Sequence, residues 1–301
     1  MATMPLSDPR ERARASLLGL ALGDALGSQF FVPAHRAAFE SRTPPDGSPW
    51  QWTDDTEMAC SVVHVLERHG RVDQDALAAS FARHHDFDRG YGPSTNRLLR
   101  LVREGGDWRE LSREPFDGQG SWGNGAAMRV APLGAWYAED PAEAARQAEL
   151  SATVTHPHPE AVAGTVAIAA AAAIAASTPG RLAPGVFLDG VLDHVPETRV
   201  RQGITEARRL LTIRDPGTAA SVLGNGRQVA AHDTVPYTLW AASLHLDDYE
   251  GAFWTTSAAG GDVDTTCAIV GGIVAARVGV QGLPAAWLAT CEPLPAWAAT
   301  G

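Results

Sequence analysis

Apolar residues recur at three- and four-residue spacing along most of the chain, the period of a helix that buries one face. The spacing predicts helices over Arg10–Leu26, Thr53–His69, Asp73–Arg83, Ser94–Arg103, Ala126–Ala138, Pro141–Ala152 and Pro159–Ala176. It predicts four more over Pro196–Leu211, Thr234–Leu244, Tyr249–Ala258 and Thr265–Val278. Start signals agree: Asp73 precedes one helix, Pro141 sits in a first turn, and Asp247 precedes "DYEGAFW". Strand signals are poor, because no run of alternating β-branched residues exceeds a few positions. The most loop-like stretches are Ser41–Gln51, Gly105–Gly120 and Thr178–Gly185, none long enough to divide the chain. No fixed-period repeat is present. The expectation is an all-α fold, one compact multi-helix domain spanning residues 1–301.

Composition narrows the function classes. Hydrophobic residues make up 45% of the 301, enough for a sizeable core. The net charge of -11 argues against direct binding to a nucleic-acid backbone, which needs clustered Lys and Arg. Cys60, Cys267 and Cys291 are sparse, with no disulfide or zinc spacing, which fits a reducing compartment. The first residues, "MATMPLSDPRERAR", lack an apolar signal core, so a cytoplasmic location is expected. Ala161–Ser177 could be taken for a membrane span. Its alanines contribute little transfer energy, and a buried helix is the expectation, with no membrane partner. A monomer is favoured.

Four polar, glycine-rich segments each abut a helix: "GLALGDALGSQF", "WTDDTEMA", "SWGNGAAMRVAP" and "GGDVDTTCAIVGG". In the second, Thr53, Asp54 and Asp55 stand at a helix start. In the fourth, Asp262, Asp264 and Thr265 do the same, behind Gly260 and Gly261, with no Arg nearer than Arg277 downstream. Capping explains one carboxylate at a helix start, but not two with a threonine hydroxyl, twice over. Hard divalent cations take this oxygen set, and two of them about 3.5–4 Å apart would use all four carboxylates. The third segment places Ser121, Gly123, Asn124 and Gly125 before a helix, where backbone N–H groups suit phosphate; a tight turn is the plainer alternative. In "THPHPE", His156 is a candidate hydrogen-bonding group and His158 a solvent-facing one. Asp24 in "GDALG" reads as a tie for loop backbone rather than a ligand-binding group. Tyr91, in the turn-rich loop "DFDRGYGPST", is a candidate substrate contact beside the site.

Taken together, "GLALGDALG", "WTDDTEMA", "SWGNGAAMRVAPLG", "THPHPEAVAG" and "GGDVDTTCAIVGGIVAA" resemble the ADP-ribosylglycohydrolase family, in the family's order and over residues 19 to 276. The resemblance implies an all-α fold with a binuclear Mg²⁺ or Mn²⁺ centre held by Thr53, Asp54, Asp55, Asp262, Asp264 and Thr265. It implies that Ser121–Gly125 and Met128 cradle ADP-ribose, with His156 near the ribose and phosphate, and that the partner is ADP-ribose or an ADP-ribosylated substrate. There are departures. Val263 stands where the family commonly has a middle threonine. Gln29, Phe30 and Phe31 occupy the place where serine-acting relatives carry a Glu. Gly92, Pro93 and Ser94 stand where arginine-acting relatives carry an Asp.

The expected reaction is hydrolysis at C1′ through an oxocarbenium-like transition state, with Asp54, Asp55 or Asp262 taking the proton. The acceptor could be a protein side chain, a nucleobase or a small molecule. A non-catalytic ADP-ribose binder on the same fold is the alternative. A prenyl-synthase-like diphosphate enzyme is disfavoured, because Met58 stands where its second aspartate should be.

Overall fold

The computed structural model describes residues 8–47 and 49–298. In chain order the helices are α1 (Pro9–Ser28), α2 (Arg36–Glu40), α3 (Asp54–His69), α4 (Gln74–His84), α5 (Pro93–Arg103), α6 (Trp108–Leu111), α7 (Pro115–Gly118), α8 (Ala131–Trp136) and α9 (Pro141–Thr153). There follow α10 (Pro159–Ser177), α11 (Pro184–Leu192), α12 (Arg199–Arg209), α13 (Pro216–Leu223), α14 (Ala231–Leu244), α15 (Tyr249–Ser257), α16 (Val263–Val278) and α17 (Ala285–Thr290). Among the described residues there is no strand. Two isolated bridges, Trp50 to Cys291 and Gly123 to Ala230, are the only β pairings among them. The all-α expectation holds.

Three long helices make the centre. α1 starts cleanly: Asp8 accepts from Arg10 N at 2.8 Å and Pro9 occupies the first turn. It lies along α16, which also touches α10, α14 and α15. α10 is apolar all round and nearly all buried, as a helix enclosed on every side must be. It is long and apolar enough to cross a membrane, yet 78% of its most apolar window is inside the fold. The remaining helices wrap this core.

The approach of α1 to α16 depends on missing side chains. Gly19, Gly23 and Gly27 are spaced four apart, so they line one stripe of α1. A Cβ on Gly27 would lie 2.8 Å from Asp264 Cα, and one on Gly23 would overlap the Cys267 carbonyl. A polar bond crosses the same seam, Ser16 Oγ donating to Gly272 O at 2.8 Å, and beside it Tyr249 Oη of α15 donates to Gly19 O at 2.6 Å.

Several expectations need correction. The helix expected over Ala126–Ala138 is broken: a tight turn over Asn124–Ala126 precedes α8, which begins only at Ala131. Pro132 explains this, since it has no N–H and fits only a first turn. α12 starts at Arg199, where Thr198 caps it, and α14 starts at Ala231 rather than Thr234. Asp248, not Asp247, caps α15; Asp247 pairs with Arg277 at 2.6 Å instead. α11 begins inside the expected loop Thr178–Gly185, and Gly105–Gly120 contains α6 and α7.

Replacing Gly23 with Ala should destabilise the fold by about 1–3 kcal/mol, because the Cβ meets backbone rather than a movable side chain. Gly92→Ala, with open space around it, should stay within about 0.5 kcal/mol of wild type. Urea denaturation of both variants checks the pair. Equal stabilities would contradict the tight seam.

Candidate functional site

Asp24 projects from α1 towards the start of α3, fully buried. Its carboxylate accepts from Thr53 N at 2.9 Å, Thr53 Oγ1 at 2.8 Å, Thr56 N at 3.2 Å and Thr56 Oγ1 at 2.6 Å. The backbone tie agrees with the expectation, but the expectation that Asp24 stands apart from ligand binding needs correction, because the fold carries it into the acidic cluster. One carboxylate oxygen from each of Asp24, Asp55 and Asp264 lies within 4.8 Å of the other two. The starts of α3 and α16, some two hundred residues apart in sequence, therefore meet across α1.

These acids are not caps. Thr53 and Asp262 hold the N-cap positions of α3 and α16, and neither side chain accepts a backbone N–H of its own first turn. Elsewhere Asp8, Asp73, Asp140, Asp215 and Asp248 do just that. Thr53 Oγ1 turns instead to Asp24 and to Asp55 Oδ2 at 3.1 Å. Asp55 Oδ1 is buried with no hydrogen-bond partner. An orphaned buried carboxylate oxygen beside other carboxylates is costly unless a cation completes it. Oxygen-only donors at this spacing suit a hard divalent ion.

Crowding shows in the acid strengths. Burial raises Asp24 to about 6, against the pull of its four hydrogen bonds. Burial and then Asp24 raise Asp54 to about 7. Burial, then Asp24, Asp54 and Asp264, push Asp55 well up, and burial with Asp262 does the same to Asp264. Asp262 is also raised by burial, with hydrogen bonds from Asn124, Asp264 and Thr265 opposing.

A cleft of about 520 Å³ opens on this cluster, with Asp54, Asp55, Asp262, Asp264 and Thr265 in its wall. Ser121, Gly123, Asn124, Gly125, Met128 and His156 line it too, so most of the expected site residues share one cavity. Asn124 joins the two sides: its Nδ2 donates to Asp262 Oδ2 at 2.7 Å and to Thr234 Oγ1 at 3.1 Å. The expected backbone cradle is reduced. Gly123 N already donates to Ser121 Oγ at 3.1 Å, and Asn124 N to Val229 O at 3.2 Å. His156 supplies another kind of contact. A Cβ on Gly125 would lie 2.9 Å from its Nε2, so the glycine makes room for the imidazole. Burial, and then Arg129, lower His156 to about 3, which keeps it neutral.

Two expected residues lie off the cleft wall. Tyr91 is buried, and its hydroxyl donates to Glu57 at 2.6 Å while Glu57 also accepts from Asp86 N at 3.0 Å. Tyr91 thus anchors its loop from inside; an aromatic hydroxyl beside a buried acid is drawn into the core. Its neighbours Gly90 and Gly92 reach the cleft instead. Thr53 faces Asp24 and borders a neighbouring cavity of about 350 Å³ with Ser28 and Gln29. His158 caps α10 through Nδ1, 3.1 Å from Glu160 N, and meets Trp122 edge-on.

The sequence reading missed the rim. Phe116 and Trp122 pack with ring centroids 4.2 Å apart, and both border the cleft. Phe116 is held at φ 57°, and so, across the opening, is Val229 at φ 53°. A β-branched residue at positive φ is strained, and such strain collects where side chains are presented to ligands. Trp122 stands inside the quoted glycine turn, so an aromatic within a glycine-rich turn was the available signal.

Because the native state holds protons on these acids up to about pH 7, while an unfolded carboxyl loses them near pH 4, the native state binds more protons in between. Chelator-treated protein should therefore lose Tm as pH rises from about 5 to about 8. Adding Mg²⁺ or Mn²⁺ at the upper end should restore it, since a cation binds the ionised cluster. Thermal scans at both pH values, with and without metal, check this; a Tm that rises with pH in chelator contradicts it.

Comparison with known proteins places the chain. The family model described as ADP-ribosylglycohydrolase matches residues 5–299. The chain is 30% identical to ADP-ribosylhydrolase ARH3 of Homo sapiens, over 93% of this chain and 89% of that protein. It is 26% identical to the ADP-ribosyl-[dinitrogen reductase] glycohydrolase of Rhodospirillum rubrum, over 94% of this chain and 90% of that protein. A solved structure, the ADP-ribosylglycohydrolase-related protein complex, superposes with a TM-score of 0.65 at 26% identity, covering 98% of this chain and 96% of that one. With the acidic cluster, the glycine turn and the histidine gathered on one cleft, and the family match running nearly end to end, the chain belongs to the ADP-ribosylglycohydrolase family and is a glycohydrolase.

Proposed function

We propose that this enzyme hydrolyses the bond at C1′ of ADP-ribose in an ADP-ribosylated substrate. One observation carries the reading: two helix starts, neither capped by its N-cap side chain, bring Asp55 and Asp264 to Asp24 around an orphaned oxygen. Asp54, Asp55, Asp262 and Asp264, with Thr53, Thr265 and Asp24, would hold one or two Mg²⁺ or Mn²⁺ ions. Such ions, when bound, supply polarisation of ribose oxygens and water.

The chain's own groups do the rest. Asn124 holds Asp262 in place from the opposite wall. Phe116, Trp122 and Val229 form the apolar rim and suit the nucleobase. His156 and the glycine turn face the phosphates. At the corner where serine-acting relatives carry a Glu, Gln29 turns its amide back to Ala25 O at 3.3 Å. Gln29, Phe30 and Phe31 supply no acid at that position, and proton transfer is assigned to the cluster. Asp54 fits that task best. No other residue among those described donates to its carboxylate, and it lines the cleft where water and ligand would meet it.

Asp54→Asn should lower kcat by about 10²–10⁴-fold. Asp262→Ala should abolish turnover and metal-dependent ADP-ribose binding. A panel of arginine-, serine-, nucleobase- and small-molecule-linked ADP-ribose, assayed with Mg²⁺, Mn²⁺ and chelator, reads both effects and identifies the acceptor. Full activity of Asp262→Ala in chelator would refute the proposal.

A further inference from the structure

Behind the glycine turn lies a buried cation that no carboxylate among the described residues touches, although Tyr91 and Asp54 lie near enough to favour its charge. Arg129 is wholly inaccessible, and among the described residues no carboxylate pairs with it. Its Nη1 donates to Gly125 O at 3.1 Å. Its Nη2 donates to Ser151 O at 3.0 Å and to Thr155 Oγ1 at 2.9 Å, and its guanidinium lies over Phe81, 4.5 Å from the ring centre. Thr155 Oγ1 in turn stands 2.7 Å from His156 Nδ1.

The direction of that last bond follows from donor counting. A guanidinium only donates, so Thr155 Oγ1 must accept from Arg129 and still place its own proton. No other acceptor for that proton is within bonding distance among the described residues, and an unsatisfied buried hydroxyl is costly. Thr155 therefore donates to Nδ1, which must be the bare nitrogen. The ring proton is left on Nε2, the nitrogen that adjoins Gly125 and Gly123 and opens on the cleft.

We infer that Arg129 and Thr155 are positioning residues that fix the tautomer of His156, so that Nε2 stays a hydrogen-bond donor towards an anionic oxygen in the cleft. The same arginine pulls the Gly125 carbonyl backwards, away from where such an anion would sit, and sets an unpaired positive charge behind it. The cleft is thereby polarised, with carboxylates on one wall and a buried cation behind the other. A phosphate-bearing ligand fits this arrangement. A role for His156 as general base does not, because its basic nitrogen faces the protein interior.

The assignment of that anion rests on the ADP-ribose reading, but the tautomer does not. Long-range ¹H–¹⁵N correlation spectra of the ligand-free protein should show His156 with Nε2 protonated and Nδ1 bare from about pH 5 to pH 9. Thr155→Val, which keeps the shape and removes the hydroxyl, should release the Nδ1-protonated form; Thr155→Ser should restore the wild-type pattern. With ADP-ribose as probe, calorimetry should give about tenfold weaker binding for Thr155→Val and recovery for Thr155→Ser. In turnover, KM should rise while kcat changes little. A wild-type spectrum with Nδ1 protonated, or a Thr155→Val spectrum unchanged from wild type, overturns the inference. If the spectra behave as expected while wild type fails to bind ADP-ribose, the relay stands and the ligand reading falls.

Discussion

The contact on which the rest depends is the seam between α1 and α16, closed by Gly19, Gly23 and Gly27. With Cβ atoms in the way, the two helices would stand apart by the width of a side chain. Asp24 would then lose its place beside Asp264, and Thr53 and Thr56 would follow Asp24 away from the cluster. A steric feature made of absent atoms thus fixes an electrostatic one. Apolar burial along the seam holds like charges at a distance they would not choose.

That balance divides the cleft into two regimes. On one wall, acids are buried so closely that their ionised forms are disfavoured, and a bound cation would relieve them. On the other, Arg129 is buried with no carboxylate in bonding contact among the described residues, and burial lowers it to about 9, so it still carries its charge at neutral pH. Asn124 bridges the walls as a neutral group, donating to Asp262 while its own carbonyl receives Ala127 and Met128 N–H. A ligand with anionic groups at one end and hydroxyls at the other would find both walls complementary.

The acids were legible in the sequence because they exceed what capping requires, at two helix starts with one shared grammar. The long helices were legible from their apolar spacing, and α10 from its alanines. What escaped was set by tertiary contacts. Tyr91 looked like a loop contact, but Glu57 draws its hydroxyl inwards. Asp24 looked like a tie and is one, yet only the fold shows that the tie carries a charge into the cluster. α13 was missed although Asp215 and Pro216 announce a cap and a first turn; its eight residues are too few for a periodic signal. The aromatic rim depends on positive φ at Phe116, which no residue type there encodes.

The glycine seam also sets an order of events. Ser16 meets Gly272 across 256 positions, so α1 waits for nearly the whole chain before its partner exists. Contacts this far apart form late, because loop closure must precede their reward, and synthesis from the N-terminus delays them further. Asp24, Asp54 and Asp55 are made early but meet Asp262 and Asp264 only when α16 docks. Catalytic competence is therefore one of the last properties the growing chain acquires, and a partly made molecule carries no assembled site.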